Sequence, residues 1–579
     1  MKILFFAPHA GIWIHSFPEA LVADSLVKEG HEVIYLGCRK TLANHCIVMS
    51  AQGIDHLSAD SVKAQACNGC IKNSERLKSE FGFADANIES FIQPGDEIEI
   101  EAILNSKKLN ELTELVIDEI PVGRLALYYL LLKFKKNDLS IETYLEPYYH
   151  IDLKNTLKVF FAAKRFLAYY KPDRLVVYNS LYPVLSVVCA LAEKIGIPAL
   201  FLHAGPNISN RLSTLLIGRS DWFRFVKYQK KQWPEFASRT HPRESYSVAT
   251  NHFLELLRGK NFLVYSTPKE GSVDVRKVLG IDPSHKLIVA AMSSNDEWVA
   301  AESIGLMKPD QGAAFQSQIE WVQALIAYFA DRENVTLVIR VHPREFPNKR
   351  EGAKSQNAEI MEKIFQNLPS NIKINWPKDE ISIFDLANQM DVLLSGWSSV
   401  GKEVALLGIP VVLYSKELCA YPPELNLYAT TPKTYFEMIE FALQRGWSAE
   451  QIRTLYRWYA FDFVDSVVDI SDGFKRGEGG IDPIAKKVIR RLGRLIKPDF
   501  VEFMDCKKRS TSLQSQKIIN KITEEVLNGP YEVAIDKSGS ITEGEEDKIL
   551  RVEMSRLMKS MYGRKGSGQL YEKLKTFTQ

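Results

Sequence analysis

Three short groups of residues have the types and spacing of a phosphate and ribose site. Arg340-Val341-His342-Pro343 closes the apolar run VTLVIRVHP. Ser395-Gly396-Trp397-Ser398-Ser399 stands between the apolar MDVLLSGW and the helix-forming SSVGKEVALLG, and Glu403 follows one turn into that helix. A helix opened by Ser and Gly presents unpaired backbone N–H groups and a positive dipole end, which together attract an anion. The Ser398 and Ser399 hydroxyls add donors for phosphate oxygens, and a carboxylate one turn further can accept from two ribose hydroxyls. Arg340 and the same N–H groups could stabilise a departing phosphate. Each residue has a plainer reading as well: an N-cap serine, a solvated first-turn acid, a loop histidine. Their joint placement at neighbouring strand ends favours the site.

The elements that would hold these residues alternate in a regular way. KILFFAP is a continuous apolar run, as expected of a parallel strand covered on both faces. The loop HAGIWIHSFP, the helix EALVADSLVKEG closed by Gly30, and the strand HEVIYLG complete a β-α-β unit. Residues near 57 to 150 are more polar and read as an insertion, with one apolar helix, RLALYYLLLKF. PDRLVVYNS, VLSVVCALAEKIG and IPALFLHAG resume the pattern. A second alternation starts near 260 with the strands NFLVYST and KLIVAAMSS. It continues with the helix QIEWVQALIAYFADR, the strands VTLVIRVHP and IKINWP, and the helix SIFDLANQ, before the strand IPVVLYS. Two such alternations predict two Rossmann-like α/β lobes facing a cleft, with ligands at the carboxyl ends of the strands. The expected division is a first lobe over 1–255, a second over 256–475, a basic crossing helix over 476–505 and a polar extension over 506–579. Within that extension KSGSITEGEEDK reads as a flexible linker and LRVEMSRLMKSMYG as a helix.

Composition narrows the class. The chain has 579 residues, 25% of them charged and 46% hydrophobic, with a net charge of +2, which argues against a surface built for nucleic acid. No apolar run is long enough to span a bilayer, and the N-terminus lacks a full signal-peptide pattern, so a cytoplasmic protein is expected. Three stretches, KVFFAAKRFLAYYK, WFRFVKYQKKQW and AKKVIRRLGRLIK, mix cations with apolar residues. They suit either an anionic membrane face or ordinary packing. Of the seven cysteines, Cys38, Cys46, Cys67 and Cys70 fall close together; they are either reduced thiols or a zinc or redox site.

The second alternation also carries a resemblance. Glu403-x4-Gly408-x-Pro410-Val411-Val412 resembles the ribose-binding Glu and following G-x-P-V-V of GT-B glycosyltransferases. MSSNDEW, Q-x-E-W, VIRVHP and SGWSSVGKEVALLGIPVV are together similar to bacterial capsular and lipopolysaccharide biosynthesis transferases, over residues 285 to 415. The resemblance implies a GT-B fold, with His342, Ser398 and Ser399 on the donor phosphates and Glu403 on ribose. Ser293, Ser294, Asp296 and Glu297 would line the cleft. In the first lobe, His15-Ser16-Phe17-Pro18 resembles the H-x-F-P of the lipid II N-acetylglucosaminyltransferase family. That implies His15 as the base that takes a proton from a sugar hydroxyl, with His9 and Glu19 as alternatives and Gly11 allowing close approach of the donor. PDRLVVYNSLYPVLSVVCALAEKIGIPALFLHAGPN is similar to the UDP-N-acetylglucosamine 2-epimerases. Those enzymes carry acidic residues where this chain has Asn179-Ser180 and His203, which leaves Asn179, His203 and Asn207 as polar groups lining the acceptor cleft. The expectation is an inverting, metal-independent transfer of sugar from a nucleotide donor to a surface glycan, at the inner membrane face where that glycan is lipid-linked. The alternatives are a same-fold epimerase and a silent nucleotide-sugar or partner-binding protein.

Overall fold

A computed structural model describes residues 1–259, 265, 267–269, 273–308, 310–348, 352–474, 512–529, 540–563 and 566–579. The expected strand NFLVYST falls mostly outside these residues. The basic helix over 476–505, with AKKVIRRLGRLIK, falls entirely outside them.

The first alternation builds a seven-stranded sheet. Its strands are β1 (Lys2–Phe6), β2 (Glu32–Gly37), β3 (Ala86–Asn87), β4 (Arg174–Tyr178), β5 (Ala199–Ala204) and β6 (Thr214–Arg219), with the late strand β13 (Val468–Asp469). The order is β13-β6-β5-β4-β1-β2-β3, antiparallel only at the two pairings of β6. The second builds a six-stranded parallel sheet from β7 (Lys286–Ala291), β8 (Val335–Arg340), β9 (Ile372–Asn375), β10 (Val392–Ser395), β11 (Val411–Leu413) and β12 (Leu427–Tyr428). Its order is β12-β11-β10-β7-β8-β9. Each sheet reverses its strand order once, between β1 and β4 and between β7 and β10. Helices leave those neighbours towards opposite faces, so their loops diverge and open a crevice at the carboxyl edge. These are two Rossmann-like lobes, the GT-B arrangement.

Several local expectations are corrected. The first helix runs Trp13–Lys28, so His15 lies in its opening turn and not in a loop. Pro18 had marked that stretch as loop, but it sits early enough in the helix that its missing N–H costs one bond, to the Ile14 carbonyl. Residues 57 to 150 are largely helical. The long helix Asp60–Phe81 carries the chain to β3 and so forms a regular crossover, while Val122–Phe134 and Glu146–Tyr170 pack on the sheet. The segment EGEEDK is the start of a helix, Glu543–Tyr562, capped by Thr542 and Glu545.

The expected lobe boundaries at 255 and 475 are each crossed earlier. Trp233, Phe236, Tyr246 and Phe253 already belong to the core of the second lobe, and β13 returns to the first sheet before 475. The C-terminal extension does likewise. Its helix Gln516–Asn528 packs on the first helix of the chain, with Lys28 Nζ donating to the Leu513 carbonyl (3.0 Å) and Arg174 to that of Leu527 (2.8 Å). The helix Glu543–Tyr562 instead buries Leu550, Met554 and Leu557 against the second lobe. Two of the basic stretches are internal as well. Phe160, Phe166, Phe225 and Trp233 are buried, Arg165 is bonded to Asp96, and Lys230 donates to the Lys416 and Glu417 carbonyls. Among the described residues no helix is long and apolar enough to cross a membrane.

The extension is anchored by a buried pair. Glu546 is fully buried and receives Arg457 through Nε (2.8 Å) and Nη2 (2.6 Å), and the Tyr246 hydroxyl also donates to it. Removing one partner strands a buried charge, so Glu546→Ala should lower stability by about 3–5 kcal/mol in chemical denaturation. A change below about 0.5 kcal/mol would mean the extension is not part of the fold.

Candidate functional site

At the second lobe's strand reversal, β7 runs into Met292-Ser293-Ser294 and β10 into Gly396-Trp397-Ser398. The two turns are tied together. Ser293 Oγ accepts from the Trp397 N–H (3.2 Å), and the Trp397 indole donates to the Ser294 carbonyl (3.2 Å). Gln318 clamps Ser293 from beneath, accepting from its N–H (2.6 Å) and donating to its carbonyl (2.9 Å). A Cβ on Gly396 would stand 3.1 Å from the Tyr414 ring, so glycine lets this turn lie flat on the aromatic floor. Ser395 Oγ is buried without a hydrogen-bond partner at the same edge.

The helix after β10 is short, Val400–Ala405, and Ser399 caps it without a side-chain bond to the backbone. Six residues give a weaker dipole end than the sequence suggested. Ser399 is exposed and Ser398 half-exposed, its Oγ accepting from the Val400 N–H (3.3 Å). Glu403 is buried. Burial pushes its carboxyl up, opposed by a bond from Ser399 and by the Lys402 charge.

Arg340 is largely buried, and its Nη1 donates to Asn375 Oδ1 and to the Ile381 carbonyl (2.8 Å), which pins β8 to the segment after β9. His342 is half-exposed. Its Nδ1 accepts from the Arg344 N–H (3.2 Å), which leaves the proton on Nε2 as a donor, and burial with the nearby Arg344, Arg340 and Lys135 charges holds its pKa down at about 3. Asp296 and Glu297 are engaged by Arg344, the former at 2.9 Å, and Ser294 Oγ donates to Asp296.

At the first lobe's reversal, β1 runs into His9 and β4 into Asn179. His9 and Glu19 form one buried pair, Nε2 to Oε2 3.3 Å, and the Tyr35 hydroxyl also reaches Glu19 (3.4 Å). Glu19 therefore orients His9 from below and has no open face of its own. His15 is half-exposed and stacks on Tyr178, centroids 4.3 Å apart at 16°. Burial, then the His9, His203 and Arg211 neighbours, lower its pKa well below the ordinary imidazole value. His203, also half-exposed, is lowered to about 4 by burial and Arg211. Asn179 adopts φ 62° and accepts from the Leu181 N–H (3.1 Å), shaping the turn.

Two expected cleft residues have structural tasks. Asn207 is buried, donating to the Val248 carbonyl (2.9 Å) and accepting from Ser209. Gly11 packs against Val48, whose Cγ1 would be 2.4 Å from an added Cβ, and its N–H reaches Cys70 Sγ (3.2 Å). Cys38, Cys46, Cys67 and Cys70 line one small pocket as free thiols. Burial raises all four, Cys38 and Cys46 to about 12. They do not come together as a metal-ligand group; the one such group among the described residues is His45, His56 and Asp152.

Sequence reasoning missed the residues that join the two crevices. Arg211 depresses His15 and His203 on one side and His252 on the other, and Lys402 depresses His252 while favouring ionised Glu403. Burial is the larger cause for His252, held at about 3. Its Nδ1 accepts from the Ile208 N–H (3.2 Å). These two cations link the His15 end of one lobe to the Glu403 end of the other. Arg211 sits in no motif, and Lys402, although it lies within SSVGKEVALLG, is brought towards the first lobe only by the fold.

The class that fold and crevices define is a two-lobed GT-B chain. No protein-family model and no curated protein matches it. Solved structures with likeness include a UDP-N-acetylglucosamine 2-epimerase described for Listeria monocytogenes, 12% identical over 80% of this chain and 93% of that one, TM-score 0.25. The spinosyn rhamnosyltransferase SpnG is 11% identical over 80% and 97%, TM-score 0.23. The Thermosulfurimonas dismutans KpsC, a beta Kdo 2,4 transferase, is 14% identical over 46% and 78%, TM-score 0.27. Likeness of this depth carries no reaction or substrate across, and the fold assignment rests on the two sheets themselves.

One buried carboxyl beside the second crevice gives a pH signature. Burial raises Glu345 to about 7, with Asp296 adding to the effect and a bond from Ser355 opposing it. An acid whose folded pKa exceeds its unfolded value binds more protons when folded, so its contribution to stability falls as pH rises from about 4.5 to 7. The stability advantage of Glu345→Gln over the parent should therefore grow by about 3 kcal/mol between pH 4.5 and 8 in denaturant titrations. Parallel stability curves would show that Glu345 ionises normally.

Proposed function

We propose that the protein transfers a sugar from a nucleotide-sugar donor to a glycan acceptor of the surface-polysaccharide class, with inversion. The observation that carries this reading is the pairing of two unlike crevices. One is lined by hydroxyls, turn N–H groups and a buried carboxylate, and the other by unprotonated imidazoles. The donor's phosphates would lie on the Ser293-Ser294 and Gly396–Ser399 turns with His342 Nε2–H, and its ribose hydroxyls on Glu403. The acceptor hydroxyl would approach His15. As its oxygen attacks the anomeric carbon, its proton passes to the imidazole, the bond from that carbon to the phosphate oxygen breaks, and the nucleotide leaves with the electron pair. Arg211 and the turn N–H groups would supply the positive potential that steadies the leaving phosphate, while Lys402 is held by Asp462 (3.3 Å). With that charge provided by the protein, turnover is expected to be unchanged by added magnesium or manganese.

The lowered pKa of His15 keeps it unprotonated across the neutral range, so the acid limb of the pH–rate profile should lie below 6.5. The direct test begins with a panel of nucleotide sugars assayed for nucleotide release. Release that depends on acceptor supports transfer. Conversion of the sugar nucleotide without release would establish the epimerase, and binding with neither would establish a silent module. With a donor in hand, His15→Ala should reduce turnover by about 10² to 10⁴ while donor affinity holds. Near-normal turnover in His15→Ala, with collapse in His9→Ala, would move the base to His9. Glu403→Ala should weaken nucleotide binding by about 1–3 kcal/mol in calorimetric titration, and unchanged affinity would remove it from the site.

A further inference from the structure

The first lobe contains a second cluster with ligand chemistry, unused by the proposed transfer. His45 follows β2, His56 lies eleven residues on, and Asp152 projects from the helix Glu146–Tyr170. All three are buried, and one ligand atom of each lies within 4.8 Å of the others. His56 Nε2 is 3.0 Å from Asp152 Oδ1 and His45 Nδ1 is 3.9 Å from the same oxygen. The two imidazoles lie face to face with centroids 3.4 Å apart, so both present a nitrogen to one carboxylate.

The surroundings orient these atoms. His45 Nε2 is 3.3 Å from both the Ile54 carbonyl and the Ser50 hydroxyl; with its hydrogen on Nε2, towards the carbonyl, Nδ1 presents a lone pair to the cluster. An N–H to backbone carbonyl bond on the far nitrogen is also the usual support of a metal-bound histidine. Asp152 Oδ2 is buried without any hydrogen-bond partner, as is Asn155 Oδ1 beside it. Asp152 thus keeps one buried carboxylate oxygen open to a further ligand. The frame is stiff. Asn155 Nδ2 holds the His45 carbonyl (2.8 Å), Lys63 Nζ that of His56 (2.6 Å), and Thr156 Oγ1 that of Asp152 (2.6 Å). The Lys133 ammonium, 3.3 Å from His56 Nδ1, is paired with Asp55.

We propose that His45 Nδ1, His56 Nε2 and Asp152 bind a divalent transition metal of the zinc class as a structural centre of the first lobe. Bonds of about 2.0–2.2 Å to two imidazoles and a carboxylate place tetrahedral ligands about 3.3 Å apart, between the two separations observed. Coordination through His56 Nε2 moves that ring's proton to Nδ1, which then no longer accepts from Lys133; the ammonium withdraws to Asp55, and the charge on the ring is unchanged. The ion would join three segments distant in sequence: the turn after β2, the loop at 54–58 and the helix carrying Asp152.

The test is elemental analysis of the full chain purified without a metal-affinity column, followed by Co²⁺ titration of protein stripped of metal. About one zinc-class ion per chain is expected, or saturable Co²⁺ uptake with a visible ligand-field spectrum and a raised Tm. Asp152→Asn and His45→Gln should abolish uptake, while the double variant Cys67→Ser, Cys70→Ser retains it. If the His or Asp variants do not fold, the titration of the parent chain still decides. Parent protein that neither carries a metal nor takes up Co²⁺ or Zn²⁺ overturns the proposal, as does loss of uptake in the cysteine variant alone.

Discussion

Everything in this molecule follows from a constraint on parallel sheets. Strands β1 and β4, and likewise β7 and β10, are neighbours whose onward connections depart to opposite faces. The backbone groups at their carboxyl ends cannot be satisfied by a common helix, and the turns there must find other partners or leave groups open to a ligand. The second lobe does both. Gln318 and Trp397 satisfy Ser293 and Ser294, while Ser395 Oγ stays unpartnered and Ser399 exposed. The first lobe closes its reversal with the His9–Glu19 pair and leaves His15 on the Tyr178 face. Chemistry collects at these edges because the remainder of each sheet is covered.

The lobes are joined by more than a hinge. The helix Asp296–Ser303 leaves the second lobe's crevice and buries Ala300 in the first lobe's core, and Asn137 bonds to Asn357 (2.8 Å) across the same junction. Lys135 Nζ donates to the Phe346 (3.1 Å) and Ala353 carbonyls (2.6 Å). On the other side, the C-terminal extension packs one helix on each lobe.

Much of this was legible in the sequence, for definite reasons. KILFFAP, VTLVIRVHP and MDVLLSGW announce parallel strands because a strand covered on both faces must be apolar throughout. Ser398 and Ser399 fall in the turn after a strand, and Glu403 in the helix that follows, because strand and helix signals abut there. What failed depended on distant partners. Arg340 carries a structural bond through Nη1 to Asn375 and Ile381 that no motif announced, and Asn207 looked like a cleft residue until Val248 engaged its amide. Gly11 was attributed to donor approach when the contact it relieves is Val48, brought in by a later helix. The polar EGEEDK masked a helix start because a capped first turn is rich in acids. His45, His56 and Asp152 have no motif, and Arg211 and His252 acquire meaning only once the lobes are assembled.

The central claim is that a nucleotide sugar held on the second lobe's turns brings its sugar to the first lobe's reversal. Backbone hydrogen exchange with and without saturating nucleoside diphosphate, followed by the same comparison with an intact nucleotide sugar, measures it most directly. The diphosphate should protect the turns at 292–297 and 395–403, and the sugar nucleotide should extend protection to 9–15 and 203–211. Protection confined to other segments, or identical footprints for the two ligands with none in the first lobe, would contradict the shared cleft.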